Sequence, residues 1–440
     1  MYQKLLKHND NIPRYTSYPT APHFKQPADT LPNIPNTWLD EEIAIYCHIP
    51  YCHQLCWFCG CHTKITQKQS VIDRYMNWLI KDIEHTSSRF NHKPKVQHIH
   101  LGGGTPNVMS ETNLDRLMQT LQKHFNIQKN AEISAEFDPR FLSHQKIHHY
   151  ADHGFNRVSF GVQDFNLDVQ RAINRIQPYE LVDDKIQACR KNGINQINID
   201  LIYGLPHQTL NHMEKTLEKT FSINPSRIAL FGYAHVPWMK KHMKLIPENA
   251  LPGPEERLKL FAMANSSLLD GPYHTIGLDH FALSTDSLYK ARKQQHLYRN
   301  FMGYTDQPTQ TIIAFGASAI SQYHWGYAQA HTNIQHYLEA IEQQENPWYR
   351  GYSFQQEDVQ RKQVIEHIMC YLSIDLSTLP DFIDPDAIIQ QIKPLINDGL
   401  LMQSHSIITV HPEAKQASRL LAACFDTYFK PTPNRHAQTV

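Results

Sequence analysis

Five of the chain's eight cysteines fall between Cys47 and Cys61, and four of them follow the spacing Cys52-x3-Cys56-x2-Cys59-x-Cys61. Thiols crowded this closely serve a disulfide knot, a zinc site or an iron–sulfur cluster. Disulfide frameworks belong to short secreted chains. This chain has 440 residues, scattered remaining cysteines and no signal-peptide core in its opening Met-Tyr-Gln-Lys-Leu-Leu-Lys. Structural zinc usually takes two ligand pairs across a longer spacer, and no second pair follows. Thiolates at short spacings on one loop suit an iron–sulfur cluster. The x3, x2 order is not the ferredoxin order, and the missing fourth ligand leaves one iron open. The cluster reading therefore stands ahead of zinc, and zinc ahead of a disulfide. Five apolar thiols gathered by chance is the least expected outcome on a loop.

Something rigid must hold such a loop. From residue 43 strand-like and helix-like runs alternate. The strands are expected at Ile43–Ile49, Val96–Leu101, Ala131–Phe137, Arg157–Val162, Gln196–Ile202 and Arg227–Tyr233. Helical patterns fall at Val71–Thr86, Asn113–Phe125, Gln145–His153, Tyr179–Asn192, Leu210–Phe221 and Glu255–Leu269. Repeated βα units predict a parallel sheet with helices outside, here an incomplete TIM-like (β/α)6 barrel. Runs at His274–Leu278 and Thr311–Phe315 would extend its wall. Polar motifs sit at the end of each strand, where barrel sites gather. They are the cysteine loop, Gly102-Gly103-Gly104-Thr105-Pro106, Glu136-Phe137-Asp138-Pro139-Arg140, the stretch from Gly161 to Phe165, Asp200 to Pro206, and Tyr233 to Pro237. One such strand end is unremarkable by itself; six on one face are not.

The flanks differ. Residues 1–36 form an arm with Pro13, Pro19, Pro22, Pro27, Pro32 and Pro35. Residues 37–354 hold the barrel and its extension. Residues 355–440 carry helical runs Val359–Tyr371, Asp386–Asp398 and Lys415–Tyr428 around a strand-like Ser406–Val410. That order predicts a mostly helical, winged-helix-like domain. Lys plus Arg and Asp plus Glu both number 42, so no basic field argues for nucleic acid, and the module is expected to pack or cover. No apolar run approaches the ~20 residues of a membrane helix. The expectation is a protein without membrane or nucleic-acid partners, in a reducing cytoplasm.

Cys-x3-Cys-x2-Cys just after a strand resembles the signature of the radical S-adenosylmethionine (SAM) enzymes. In that family Cys52, Cys56 and Cys59 would hold a [4Fe–4S] cluster whose fourth iron takes SAM. Cys61 and Tyr46-x-His48-Ile49-Pro50 narrow the resemblance to the coproporphyrinogen dehydrogenases, radical SAM oxidoreductases of porphyrin and heme biosynthesis. The segment Pro13-Arg14-Tyr15-Thr16-Ser17-Tyr18-Pro19 resembles the arm that covers the active site there. The resemblance runs from Pro13 to about Tyr428. Cys47, Leu101 and Gly232 depart from the usual pattern.

The resemblance implies roles. Gly103, Gly104 and Thr105 would lie against the methionine part of SAM, and Gly-x-Gly-x-x-Gly and Gly-Lys-Ser/Thr phosphate loops are absent. Glu136 would accept from the ammonium and Arg175 would hold the carboxylate. Gln163 and Asp200 would bind ribose hydroxyls. Phe58, Ala234, Ile202 and Ile320 would contact adenine, and Tyr46 would contact the ligand from below. Tyr46 and Cys61 are the candidate catalytic residues. Two SAM molecules are expected. Arg14, Arg299 and His280 are candidates for the propionates of coproporphyrinogen III.

The implied reaction is the oxygen-independent conversion of two propionates, on rings A and B, to vinyls, giving protoporphyrinogen IX. A low-potential donor such as flavodoxin or ferredoxin would reduce the cluster, and an unidentified acceptor would take the final electron. The chain would act as a monomer. The competing reading is a heme chaperone of the same superfamily. That branch typically lacks the last cysteine and the arm and carries His-Asn-x-x-Tyr-Trp; here the comparable place reads Arg299-Asn300-Phe301-Met302.

Overall fold

The computed structural model describes residues 1–8, 11–32 and 41–430. The expected boundary between residues 36 and 37 lies outside them.

Six parallel strands form the centre: β1 (Glu42–Ile49), β2 (Lys95–Gly103), β3 (Asn126–Phe137), β4 (Arg157–Gln163), β5 (Gln196–Tyr203) and β6 (Arg227–Gly232). They lie side by side in chain order, and each pair is parallel. The connecting segments carry α1 (Gln69–Ser87), α2 (Glu111–His124), α3 (His144–Asp152), α4 (Tyr179–Lys191) and α5 (Leu210–Ile223), and α6 (Pro254–Asp270) follows β6. Each lies within two or three residues of its expected span.

The strands mostly alternate apolar with polar side chains, which is unusual for a parallel sheet covered on both faces. Ile99, Leu101, Ala135, Val158, Phe160, Ile197, Ile199 and Leu201 are fully buried in the main apolar core beneath the helices. Residues of the opposite parity form two hydrogen-bonded polar clusters, one of His98, His100, Ser134 and Glu136 and one of Ser159, Asn198 and Asp200. His100 Nδ1 lies 2.7 Å from Ser134 Oγ, and Asn198 donates to Ser159 and Asp200 at 2.8 Å. At the entry end of the strands Glu132 accepts from Arg157 at 2.7 Å, and Arg227 donates to Asp286 at 2.8 Å. The parallel strands thus have one dry face and one polar face, the arrangement of an incomplete (β/α)6 barrel.

The wall is longer than expected. Ile312–Phe315 joins β1 in parallel, followed by Ile320–Tyr323, Gly326–Ala330 and Trp348–Ser353 in antiparallel order. On the far edge His280–Leu283 pairs with β6, and Tyr273–Ile276 pairs with it in turn. The antiparallel additions escaped the pattern because Ile320–Tyr323 and Gly326–Ala330 are buried on both faces and carry no clean alternation.

A second core joins the two ends of the chain. Leu5, Ile12, Tyr15 and Tyr18 pack with Ile368, Leu395, Leu421 and Phe425. Tyr15 donates to Asp426 at 3.1 Å, and Arg419 donates to the carbonyls of Ile12 and Pro13. Gln26–Pro27 pairs with Trp348–Ser353. Helices Asp358–Tyr371, Pro385–Asn397 and Ala417–Ala423 surround a sheet of Ser373–Asp375, Ile407–Val410 and Leu401–Ser404. The last helix is much shorter than the expected Lys415–Tyr428. Among the described residues no helix is long and apolar enough to cross a membrane.

Candidate active site

The cysteine loop leaves the end of β1 and is tied down on three sides. Tyr51–Cys52 pairs in parallel with Lys64–Ile65, which closes the loop at its base. Gly104 and Thr105 continue the ladder beyond β2, donating to Ile49 O at 2.8 Å and Tyr51 O at 2.9 Å. The segment after β4 clamps the far side: Trp57 N–H donates to Ile173 O at 3.0 Å and Asn174 to Leu55 O at 2.8 Å. His242 Nε2 and Lys240 Nζ each lie 2.8 Å from the carbonyls of Cys59 and Cys61.

Cys52, Cys56, Cys59 and Cys61 all border one cavity of about 210 Å³ at the carboxyl ends of the strands. Phe58 lines it from the same loop. Gly103, Gly104 and Thr105 line it from β2, Glu136 from β3, and Gln163, Arg175 and Asp200 from β4, the following loop and β5. Tyr46 lies beneath, its ring stacked on His100 and its hydroxyl 3.0 Å from His48 Nδ1. Because His48 Nε2 lies 3.0 Å from His62 O, that nitrogen carries the proton and Nδ1 accepts from Tyr46. Burial holds His48 neutral, pulling it down to about 4.

The glycines are sterically required. Gly103 has φ +118, and a Cβ there would stand 2.8 Å from His48 Cε1. A Cβ on Gly104 would collide with Tyr51 O. The strip therefore leaves bare backbone facing the cavity.

The electrostatics are divided. Two guanidiniums face Cys56 Sγ: Arg140 at 3.2 Å and Arg175 at 3.4 Å. Both also hold Asp138, at 2.7 and 3.2 Å, and Arg175 donates to Gly161 O at 2.6 Å. Burial raises the Cys52 thiol to about 12. A hydrogen bond from Cys61, then Lys240 and Arg175, pull Cys59 below the ordinary thiol value. Burial opposes ionisation of Glu136, but hydrogen bonds from His100 and the Gly103 N–H outweigh it and keep the carboxyl below its usual range. Burial and the neighbouring Glu136 instead raise Asp200 to about 6.

Ionised Asp200 is therefore costly to the fold. Its folded value lies above the ~3.9 of a free aspartate, so the folded state loses stability as pH rises from that value through 6. Asp200→Asn is expected to raise the melting temperature of the ligand-free protein at pH 7.5. The gain should shrink below pH 6 and vanish near pH 4, as followed by thermal melts across pH.

Three expected contacts lie elsewhere. Ile202 is buried with Tyr233, Trp57 and Phe58. Ala234 lines a second cavity, with Arg14. Ile320 begins an antiparallel strand and borders neither cavity. Arg299 is buried, donating to Tyr304 Oη and, at 3.3 Å, to Arg14 O. His280 is held by Asp279 at 2.7 Å. Cys47 is fully buried and far from ionising. Asp138, Arg140 and Ser159 were not assigned roles from the sequence. The first two lie in a flagged strand-end motif, and Ser159 follows from the inward parity of β4.

The cavity suits the chemistry of its donor set. Four thiols open onto it together, cations lie beside them, and bare backbone leaves room for a bulky group. Residues 46–220 match the Radical SAM superfamily. The oxygen-independent coproporphyrinogen III oxidase of Synechocystis sp. is 38% identical, across 97% of this chain and 94% of the relative. That of Escherichia coli K12 is 35% identical, across 97% and 95%. The solved structure of the Escherichia coli coproporphyrinogen III oxidase, described as a radical SAM enzyme, superposes with a TM-score of 0.90 at 35% identity, covering 97% of this chain and 99% of that one. Full-length similarity, a shared fold and a cysteine-lined strand-end cavity lead to one conclusion: the chain belongs to the oxygen-independent coproporphyrinogen III oxidases of the radical SAM superfamily, whose chemistry uses a [4Fe–4S] cluster and SAM.

Proposed function

We propose that the chain converts coproporphyrinogen III to protoporphyrinogen IX without oxygen, turning the propionates of rings A and B into vinyls. The observation that carries this reading is the gathering of Cys52, Cys56 and Cys59 with Glu136, Gln163, Arg175 and Asp200 around one cavity. Cys52, Cys56 and Cys59 hold the cluster. Gly103, Gly104 and Thr105 offer backbone to the methionine part of SAM, Glu136 its ammonium partner, and Arg175 its carboxylate partner. Gln163 and Asp200 face the ribose, Phe58 the adenine.

When bound by these residues, the cluster and SAM would supply the radical chemistry that removes a hydrogen atom from a propionate β-carbon, with carbon dioxide lost and one electron passed to an acceptor. The protein's part is orientation and exclusion of water. Arg140 and Arg175 offset the thiolate charge, and Glu136 stays ionised to receive a cation. Tyr46 and neutral His48 form a fixed floor. The second cavity, bordered by Ala234 and Arg14, supports a place for more ligand than one SAM fills. Two SAM molecules, a donor such as flavodoxin or ferredoxin, a separate electron acceptor, a monomeric state and a cytoplasmic location complete the reading. The chain divides into arm, barrel and C-terminal domain at residues 1–36, 37–354 and 355–440.

Cys61 is exposed at the rim of the same cavity as Cys59. Cys61→Ser is expected to keep the cluster, with iron content unchanged, and to lower turnover about tenfold or more. Coproporphyrinogen deuterated at its propionate β-carbons tests the reading: deuterium should appear in 5′-deoxyadenosine. Protoporphyrinogen formed with no label in that product would overturn it.

A further inference from the structure

The second cavity, about 320 Å³, is built from three distant parts of the chain. Arg14 comes from the arm, Tyr203 and Gly232 from the ends of β5 and β6, and Arg257 from the first turns of α6. Gln416 and Arg419 come from the C-terminal unit. Among the described residues that line the cavity, three guanidiniums thus face one carboxylate, Asp279, which His280 already holds at 2.7 Å.

Two of the cations, Arg14 and Arg257, are underused among the described residues. Arg14 donates to Gly232 O at 2.8 Å, and Arg257 to Tyr233 O at 2.8 Å. Among the described residues neither forms an ion pair. A guanidinium carries five donors in a fork suited to a carboxylate. Burial and the nearby Arg14 pull Arg257 and Arg419 below the ordinary guanidinium range, a cost that an anion would relieve. Gly204 has φ +85, and a Cβ there would stand 2.7 Å from Arg257 Nη1, so bare backbone gives that guanidinium its place.

Gln416 gives an independent sign of a ligand. It is 4% exposed, and among the described residues neither Oε1 nor Nε2 has a hydrogen-bond partner. A buried amide unmet at both ends is rare in native proteins. Its complement is a molecule that both accepts and donates hydrogen bonds. A porphyrinogen does both, through propionate oxygens and pyrrole N–H groups.

We propose that this cavity is a carboxylate-recognition subsite in which Arg257 and Arg419, with Gln416, receive substrate propionates that are not reacting. The inference rests on the functional reading above. The reacting propionate then lies toward the cluster cavity, since Asp200 and Tyr203 carry the two cavities along one strand, β5. Arg419 also holds the arm through Ile12 and Pro13, so an occupied subsite and a docked arm support each other. Contacts to non-reacting groups are made equally in ground and transition states, so their loss raises KM and leaves kcat.

Arg257→Met, Arg257→Lys and Gln416→Ala, each prepared anaerobically with its cluster, provide the test. Binding of coproporphyrin III, the oxidised analogue, and of its uncharged tetra-amide is followed by quenching of Trp238, which borders the cavity. Arg257→Met and Gln416→Ala should weaken coproporphyrin III about tenfold and leave the tetra-amide at its wild-type affinity. The KM for coproporphyrinogen should rise by a similar factor with kcat within about threefold, and Arg257→Lys should recover part of the loss. Iron content reports that each variant is folded. Variants binding coproporphyrin III within twofold of wild type, or losing both ligands equally, would overturn the subsite while leaving the catalytic reading intact. A wild-type enzyme that neither binds coproporphyrin nor converts coproporphyrinogen would overturn both.

Discussion

Serine at Cys52, Cys56 or Cys59 is expected to remove the cluster and with it turnover. Anaerobically reconstituted wild type should carry about four irons and four sulfides per chain, and each variant less than about one iron. The thiolate is the ligand, and a serine hydroxyl does not ionise near neutral pH. Cys61 borders the same cavity but lies outside the Cys52-x3-Cys56-x2-Cys59 spacing, and Cys47 is sealed in the core, so neither is expected to replace a lost ligand. Product formation should fall by at least about 10³. Cys56→Ser should also cost some stability, because Arg140 and Arg175 then face each other without the sulfur between them. Iron and sulfide analysis beside a product assay checks this. A variant retaining full iron would remove that cysteine from the ligand set.

Arg175→Met is the second large expected effect. The side chain is buried and spans Cys56 Sγ, Asp138 Oδ2 and Gly161 O. Methionine leaves Asp138 with Arg140 as its remaining cation. Breaking a buried pair from one side costs about 3–5 kcal/mol, and the surviving Arg140 puts this case near the lower end. A fall in melting temperature of roughly 5 °C or more should follow. Asp138 is held below the usual carboxylate range against burial, chiefly by Arg175. That stabilisation is present above the unfolded value and is lost as pH falls, so the gap between wild type and variant should narrow in acid. The loss of a two-pronged carboxylate partner should lower kcat/KM about 100-fold or more. Thermal melts across pH and steady-state kinetics separate the two effects.

The parallel units were legible because both faces of each strand carry a signal. Ile, Val and Phe mark the helix-covered face, and the opposite parity reads as His98, His100, Ser134, Glu136, Ser159 and Asp200. The cysteine loop and the glycine strip were legible because few backbones tolerate either composition. Tertiary use was harder to read. Asp138 and Arg140 sit in a motif flagged at the end of β3, yet their pairing with Arg175 depends on how the loop after β4 folds back over the cysteines. Arg257, Gln416 and Arg419 carried no sequence signal as a group. Arg257 lies more than 150 residues from Gln416 and Arg419 and meets them only because the two chain ends share one core. The strands beyond Ile320 were hidden by burial on both faces. The last helix was overextended because Cys424 to Tyr428 is apolar enough to continue a pattern that the backbone abandons after Ala423.

The most direct test is anaerobic incubation of the reconstituted protein with coproporphyrinogen III, SAM and a reductant, with carbon dioxide and porphyrinogen products measured together. Two carbon dioxide molecules should be released per protoporphyrinogen IX formed, with 5′-deoxyadenosine and methionine. No carbon dioxide and no protoporphyrinogen, with heme bound tightly instead, would contradict the account and turn it toward the chaperone branch.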